Sequence, residues 1–111
     1  MQHITAPELA EKLAAGVAAP EGERPLLLDV RENWEFETCH IAGSTQIPMH
    51  LVPIRAGELP DDREIVCICH HGARSMQVAA FLERNGFDNV TNLTGGIHAW
   101  AVQVDPAMPK Y

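Results

Sequence analysis

The stretch Cys69-His70-His71-Gly72-Ala73-Arg74-Ser75 gathers a thiol, two imidazoles, a guanidinium and a hydroxyl around one glycine. These residue types could do covalent chemistry. The apolar run Ile65-Val66-Cys67-Ile68 before it reads as a buried strand, and Met76 to Gly86 after it reads as a helix. Cys69 is therefore expected at a strand's C-terminal end, in a turn that opens a helix. A helix N-terminus leaves backbone N–H groups unpaired and carries a partial positive charge, so it favours an anion, a thiolate included. The thiolate is the reactive form of cysteine. The stretch predicts an anion cradle around a cysteine nucleophile, with Gly72 supplying the positive φ that a curled loop needs.

The rest of the chain bounds that reading. Its 111 residues are 46 % hydrophobic and 21 % charged, which fits one globular domain over residues 1–111. Fifteen acidic residues against eight basic ones give a net charge of −7, which argues against nucleic acid or an anionic membrane as the main partner. Three cysteines, with no basic-plus-apolar leader, do not make a secreted disulfide framework. No stretch approaches the roughly 18 apolar residues of a membrane span. The expected setting is a reducing cytoplasm.

The elements that must position the loop can be read in order. Thr5-Ala6-Pro7-Glu8 has the form of a capping box, opening a helix over about 6–15 that turns Leu9, Leu13 and Val17 to one face and stops at Gly16. Residues 18–25 form a surface loop, and Leu26 to Val30 a strand covered on both faces. Arg31 to Thr38 is a short helix or turn expected to bury Trp34 and Phe36. A turn and short strand end at Pro48, a short helix carries Leu51, Val52 and Ile54, and Leu59 to Asp62 is a turn before the strand leading to Cys69. After the loop, a helix from Ser75 to Asn85 is expected to bury Met76, Ala79, Ala80 and Leu82. Phe87 to Leu93 is a third longer strand, Gly95-Gly96 a sharp turn, Ile97 to Val104 a last helix with Trp100, and 105–111 a loose tail. This alternation predicts an α/β fold with a mainly parallel central sheet and helices on both faces, its ligand site at the strands' C-terminal ends.

Four segments, in order, resemble the rhodanese domain: Asp29-Val30-Arg31 with Trp34-Glu35-Phe36; His40-Ile41-Ala42-Gly43-Ser44 running into Ile47-Pro48; Cys69 to Ser75; and Gly86-Phe87 with Val90, then Leu93-Thr94-Gly95-Gly96-Ile97 and Trp100. The resemblance covers most of the chain. It implies a rhodanese-like fold and a sulfurtransferase in which Cys69 takes a sulfane sulfur from thiosulfate or a persulfide and passes it to cyanide or a thiol. The backbone amides of His70, His71, Gly72, Ala73 and Arg74 would cradle the persulfide. Arg74 would stand at the rim or brace the loop from behind, and Ser75 would cap the helix or bond the sulfur, capping being favoured. Asp29 and Arg31 would support the loop or pair with each other.

Two other readings are open. A sulfur-relay or partner-binding module would use the same residues with little small-molecule turnover, taking sulfur from a protein persulfide or giving it to a protein thiol. A cysteine-dependent phosphatase or arsenate reductase would need a longer loop. Here only His70, His71, Gly72 and Ala73 separate Cys69 from Arg74, which suits a sulfur atom better than a phosphoryl group. His70 and His71 stand where thiosulfate-using relatives often carry permanent cations, and unperturbed imidazoles are mostly neutral at neutral pH. No cofactor is expected, and no metal site: Cys67, Cys69, His70 and His71 lack the second ligand pair of a zinc site. Cys67 reads as a buried apolar residue, Cys39 as an inert turn residue, and His40 as bonded to local backbone.

Overall fold

The computed structural model describes residues 1–111, the side chain of Glu21 excepted. Five parallel strands form one sheet in the order β1-β5-β4-β2-β3: β1 Gln2–Ile4, β2 Leu26–Asp29, β3 Thr45–Gln46, β4 Ile65–Ile68 and β5 Val90–Leu93. The α/β fold expected from the sequence is present. Its helices are α1 Ala6–Ala15, α2 Asn33–Thr38, α3 Val52–Arg55, α4 Ala73–Arg84 and α5 Gly96–Gln103.

β4 is apolar on both faces because helices cover both. Successive residues of β4 alternate between two cores. Val66 and Ile68 pack with Leu9 of α1 and Ile97, Trp100 and Ala101 of α5, while Ile65, Cys67 and then Cys69 pack with Val78, Ala79 and Leu82 of α4 and Val52 of α3. α1 starts as expected: the Thr5 hydroxyl accepts from the Glu8 amide and the Glu8 carboxylate accepts from the Thr5 amide, a reciprocal cap that contributes about 1 kcal/mol.

Several expectations are corrected. Gln2–Ile4, a segment given no element from sequence, is an edge strand, paired through Ile4 with Leu93; three mostly exposed residues carry no apolar run to announce it. Val17 and Ile54 face solvent. α4 begins at Ala73 rather than Ser75, because Gly72 at φ +108° turns the chain straight into the helix. That start puts Ser75, Val78, Ala79 and Leu82 on the buried stripe and leaves Met76 exposed. In α2 the inward position belongs to Glu35, 4 % exposed, whereas Trp34 is 60 % exposed. The 105–111 tail is not loose: Met108 is buried in the α1/α5 core and the Tyr111 hydroxyl is hydrogen-bonded on two sides.

Candidate functional site

Cys69 follows β4 directly and is 1 % exposed. Its Sγ accepts a hydrogen bond from the Gly72 amide at 2.9 Å and lies 3.3 Å from the Ser75 hydroxyl. α4 starts one residue after that amide, so the positive end of a 12-residue helix sits at the sulfur. Of the loop amides expected to cradle the thiol, that of Gly72 donates to the sulfur, with the start of α4 beside it.

Ser75 does not cap the helix, the role its sequence position favours. It lies inside the first turn, fully buried, with its hydroxyl at 2.5 Å from Asn92 Oδ1, 3.2 Å from the Gly72 carbonyl and 3.3 Å from Cys69 Sγ. One proton serves three acceptors, and the shortest contact is to Asn92. Sequence reasoning misses Asn92, although an amide inside the strand Val90–Leu93, next to the polar Thr91, is a readable signal.

Arg74 braces the loop from behind. Its Nη1 and Nη2 donate to Glu35 Oε1 and Oε2 at 2.8 and 2.9 Å. The guanidinium, working against burial, holds the Glu35 carboxyl at about 2, and the Glu32 amide and Tyr111 hydroxyl also donate to it. Asp29 and Arg31 pair with each other below this layer: Arg31 Nε and Nη2 donate to Asp29 Oδ1 and Oδ2 at 2.9 and 2.7 Å, both side chains fully buried. Although burial opposes the Arg31 charge, the bonds to Asp29 and Tyr111 raise its pKa above the usual value. Arg31 also donates to the carbonyls of Glu35 and Cys39, so it fastens α2 and the turn after it to the end of β2. Neither Asp29 nor Arg31 is hydrogen-bonded to the Cys69 loop. They support it through Glu35 and Tyr111.

Tyr111 completes this layer, and nothing in its sequence position announces it. Its hydroxyl accepts from Arg31 Nη1 and donates to Glu35 Oε2, each at 2.9 Å, and burial pushes its pKa up to about 12, so the donating form persists. Its ring stacks on His70 at 4.0 Å. Burial, with His71 next, lowers the His70 pKa, so this ring is neutral at neutral pH. His71 is exposed.

The loop is held from its other side by α5. The Ile97 and His98 amides donate to the Cys69 and His70 carbonyls at 2.8 and 3.1 Å. Gly96, at φ +61°, permits this approach: a Cβ there would strike the Cys69 carbonyl oxygen and lie 2.5 Å from that of His70. Cys67 is fully buried, and burial raises its thiol to about 12, so it stays protonated and inert. Cys39 is buried in the α1/α5 core. His40 bonds the Phe36 carbonyl as expected.

A buried cysteine cradled by a glycine-turned loop, at the C-terminal end of a parallel strand, is what the resemblance called for. The Rhodanese-like domain family matches residues 5–103. The chain belongs to that family. A sulfurtransferase from Allochromatium vinosum is 42 % identical to this rhodanese-like domain over 101 residues, covering 91 % of this chain and 89 % of that protein. A crystal structure from Staphylococcus saprophyticus superposes with a TM-score of 0.81 at 33 % identity, covering 94 % of this chain and 97 % of the other. The maize adenylyltransferase and sulfurtransferase MOCS3-2 is 34 % identical over 100 residues; the match covers 84 % of this chain but 21 % of that protein. Together the family and these relatives support sulfur transfer in general. No helix among the described residues is long and apolar enough to cross a membrane.

Proposed function

We propose that this rhodanese-like domain moves a sulfane sulfur from thiosulfate or a persulfide, through a Cys69 persulfide, to a thiophilic acceptor, cyanide or a thiol. The observation that carries the reading is the sulfur's environment: Cys69 Sγ is buried, held by the Gly72 amide at 2.9 Å, and set at the start of α4. In the first half-reaction the Cys69 thiolate attacks the outer sulfur of the donor. A new S–S bond forms, the donor's own S–S bond breaks, and sulfite or a thiolate leaves with the electron pair. In the second, the acceptor attacks the terminal sulfur, and the Cys69 thiolate is regenerated. The amides of the loop and of the first turn of α4 favour the anionic persulfide between the two steps.

A relay between protein persulfides and protein thiols is a second reading, favoured by one observation. Arg74, the loop's permanent cation, is engaged by Glu35, and His70 is held neutral. A dianionic donor such as thiosulfate therefore meets no free permanent charge from the loop's own side chains. The same shortage, with the short loop, weighs against a phosphatase or arsenate reductase.

The test is intact mass after incubation with thiosulfate or with a small-molecule persulfide. Wild-type protein is expected to gain about 32 Da and Cys69→Ser none. The absence of an adduct from either donor would sink the sulfur-transfer reading. Faster loading from the persulfide than from thiosulfate supports the relay.

A further inference from the structure

We propose that His70, His71 and His98 form a binding site for a divalent late transition metal ion, zinc first among them, at the mouth of the Cys69 loop. Each of the three residues offers a ring nitrogen, and the three nitrogens lie within 4.8 Å of one another. Tetrahedral coordination at about 2.0–2.1 Å per Zn–N bond needs nitrogens about 3.3–3.4 Å apart. The remaining gap is at most about 1.5 Å between any two nitrogens, which small side-chain rotations of the exposed His71 and His98 can close. Ring centroids separated by 4.0, 5.1 and 6.2 Å, tilted by 31, 47 and 72°, are not a stack of parallel rings.

The main chain fixes the spacing between the two segments that supply the ligands. His70 and His71 come from the loop, His98 from the first turn of α5, and the His98 amide donates to the His70 carbonyl at 3.1 Å. Gly96, which has no Cβ to strike that carbonyl, lets α5 come so close. Tyr111 holds the His70 ring by stacking at 4.0 Å. His71 and His98 are exposed, so an ion can enter from solvent.

The donor set selects the ion. Three imidazoles suit zinc, copper or nickel and are poor ligands for magnesium or calcium, which take oxygen. A trio of histidines also leaves a fourth position for water or an outside ligand, as open zinc sites do. The proposal does not rest on sulfur transfer, since Cys69 is not among the ligands. Reading the chain by ligand pairs within one segment misses the site, because its third histidine lies in a different segment from the Cys69 loop.

The experiment is competition for zinc against a chromogenic chelator, done in Cys69→Ser protein so that the thiolate contributes nothing. One zinc equivalent per chain is expected. Adding His98→Ala or His71→Ala should weaken zinc binding at least about tenfold, as expected for loss of a direct ligand. His98→Gln, which keeps side-chain bulk, should do the same with an unchanged circular dichroism spectrum. His50→Ala, an exposed histidine outside the trio, should leave zinc affinity unchanged. No zinc retained by the Cys69→Ser protein, or equal retention with and without His98, would overturn the proposal.

Discussion

Glu35 grips Arg74 in a two-pronged ion pair, at 2.8 and 2.9 Å, across 39 positions of sequence. The pair settles a question the loop sequence leaves open. An arginine beside a reactive cysteine can reach into the anion site or hold the loop from outside, and here both guanidinium prongs point to α2. What faces the sulfur is the Gly72 amide at the start of α4, with the Ser75 hydroxyl beside it. In the proposed reaction a singly charged terminal sulfur would be held by backbone amides without a counter-cation, so it would not compete with the Arg74 ion pair.

Replacing Glu35 by Gln should cost stability in a pH-dependent way. The folded carboxyl lies at about 2 against an ordinary 4.5, chiefly through its hydrogen bonds from Arg74. Because the folded value is the lower one, the stabilisation is complete above about pH 4.5 and is lost as pH falls towards 2. With Arg74 one-third exposed, the contribution at neutral pH is discounted for screening to about 2 kcal/mol. Urea denaturation of wild type and Glu35→Gln at pH 7, 4 and 3 should show a gap that narrows with acid. A gap independent of pH would show that the carboxylate charge is not what stabilises.

The same substitution should change donor preference. A neutral amide in place of the Glu35 carboxylate no longer neutralises Arg74, so a cation becomes available near the loop mouth. Thiosulfate loading, measured by intact mass at low salt, should rise relative to persulfide loading in Glu35→Gln, and added salt should erase the gain. An unchanged ratio would mean that Arg74 stays out of the donor's reach even when unpaired.

Gly96→Ala and Gly43→Ala form a matched pair. Both glycines have positive φ, +61° and +85°, so each substitution bears a backbone cost of about 1–2 kcal/mol. Only at Gly96 would the new Cβ also meet backbone, the carbonyl oxygens of Cys69 and His70, while nothing lies within 4 Å at Gly43. Gly96→Ala should therefore destabilise by several kcal/mol more than Gly43→Ala in thermal or urea unfolding. It should also slow sulfur loading, since α5 can no longer seat on the loop. Equal costs at the two positions would remove the close approach as the reason for glycine at 96.

The local half of the site was legible because local chemistry writes it. Cys69 after an apolar strand, Gly72 at the turn and a helix beginning beside it follow from short-range pattern, and the parallel sheet follows from alternation. What was not legible came from afar or from polar residues inside buried elements. Glu35 sits in α2 between Trp34 and Phe36, which looked the better core candidates, yet an ion pair with Arg74 takes the carboxylate inward and leaves Trp34 out. β1 has no apolar run, since Gln2 and His3 are exposed at a sheet edge. Tyr111 and His98 reach the loop only through tertiary packing.

Ser75→Ala should lower both stability and rate. The buried hydroxyl donates to Asn92 at 2.5 Å and stands 3.3 Å from the sulfur. Its removal strands a buried amide oxygen, at about 1–3 kcal/mol, and takes away the one proton that the hydroxyl can turn from Asn92 towards an anionic sulfur, worth about tenfold in persulfide formation. Stopped-flow loading, alongside urea unfolding, separates the two effects. A stability loss with an unaltered loading rate would confine Ser75 to packing.

Tyr111→Phe should isolate the hydroxyl from the ring. Phenylalanine keeps the stacking partner of His70, at 4.0 Å in the parent, but removes the group that bridges Arg31 and Glu35 at 2.9 Å on each side. Arg31 retains Asp29 and two carbonyls, so the larger consequence falls on Glu35, which loses one of the donors that favour its charge. The Glu35 carboxyl, followed by carbon NMR, should titrate above its parent value of about 2. Global stability should fall by about 2 kcal/mol. Tyr111→Ala should add faster amide exchange across residues 105–111, because the ring that seats the tail on His70 is gone. If Phe and Ala behave alike, the ring contributes nothing and the hydroxyl alone docks the tail; if Phe matches wild type in the Glu35 titration, the bridge through Tyr111 does not shape the carboxylate that holds Arg74.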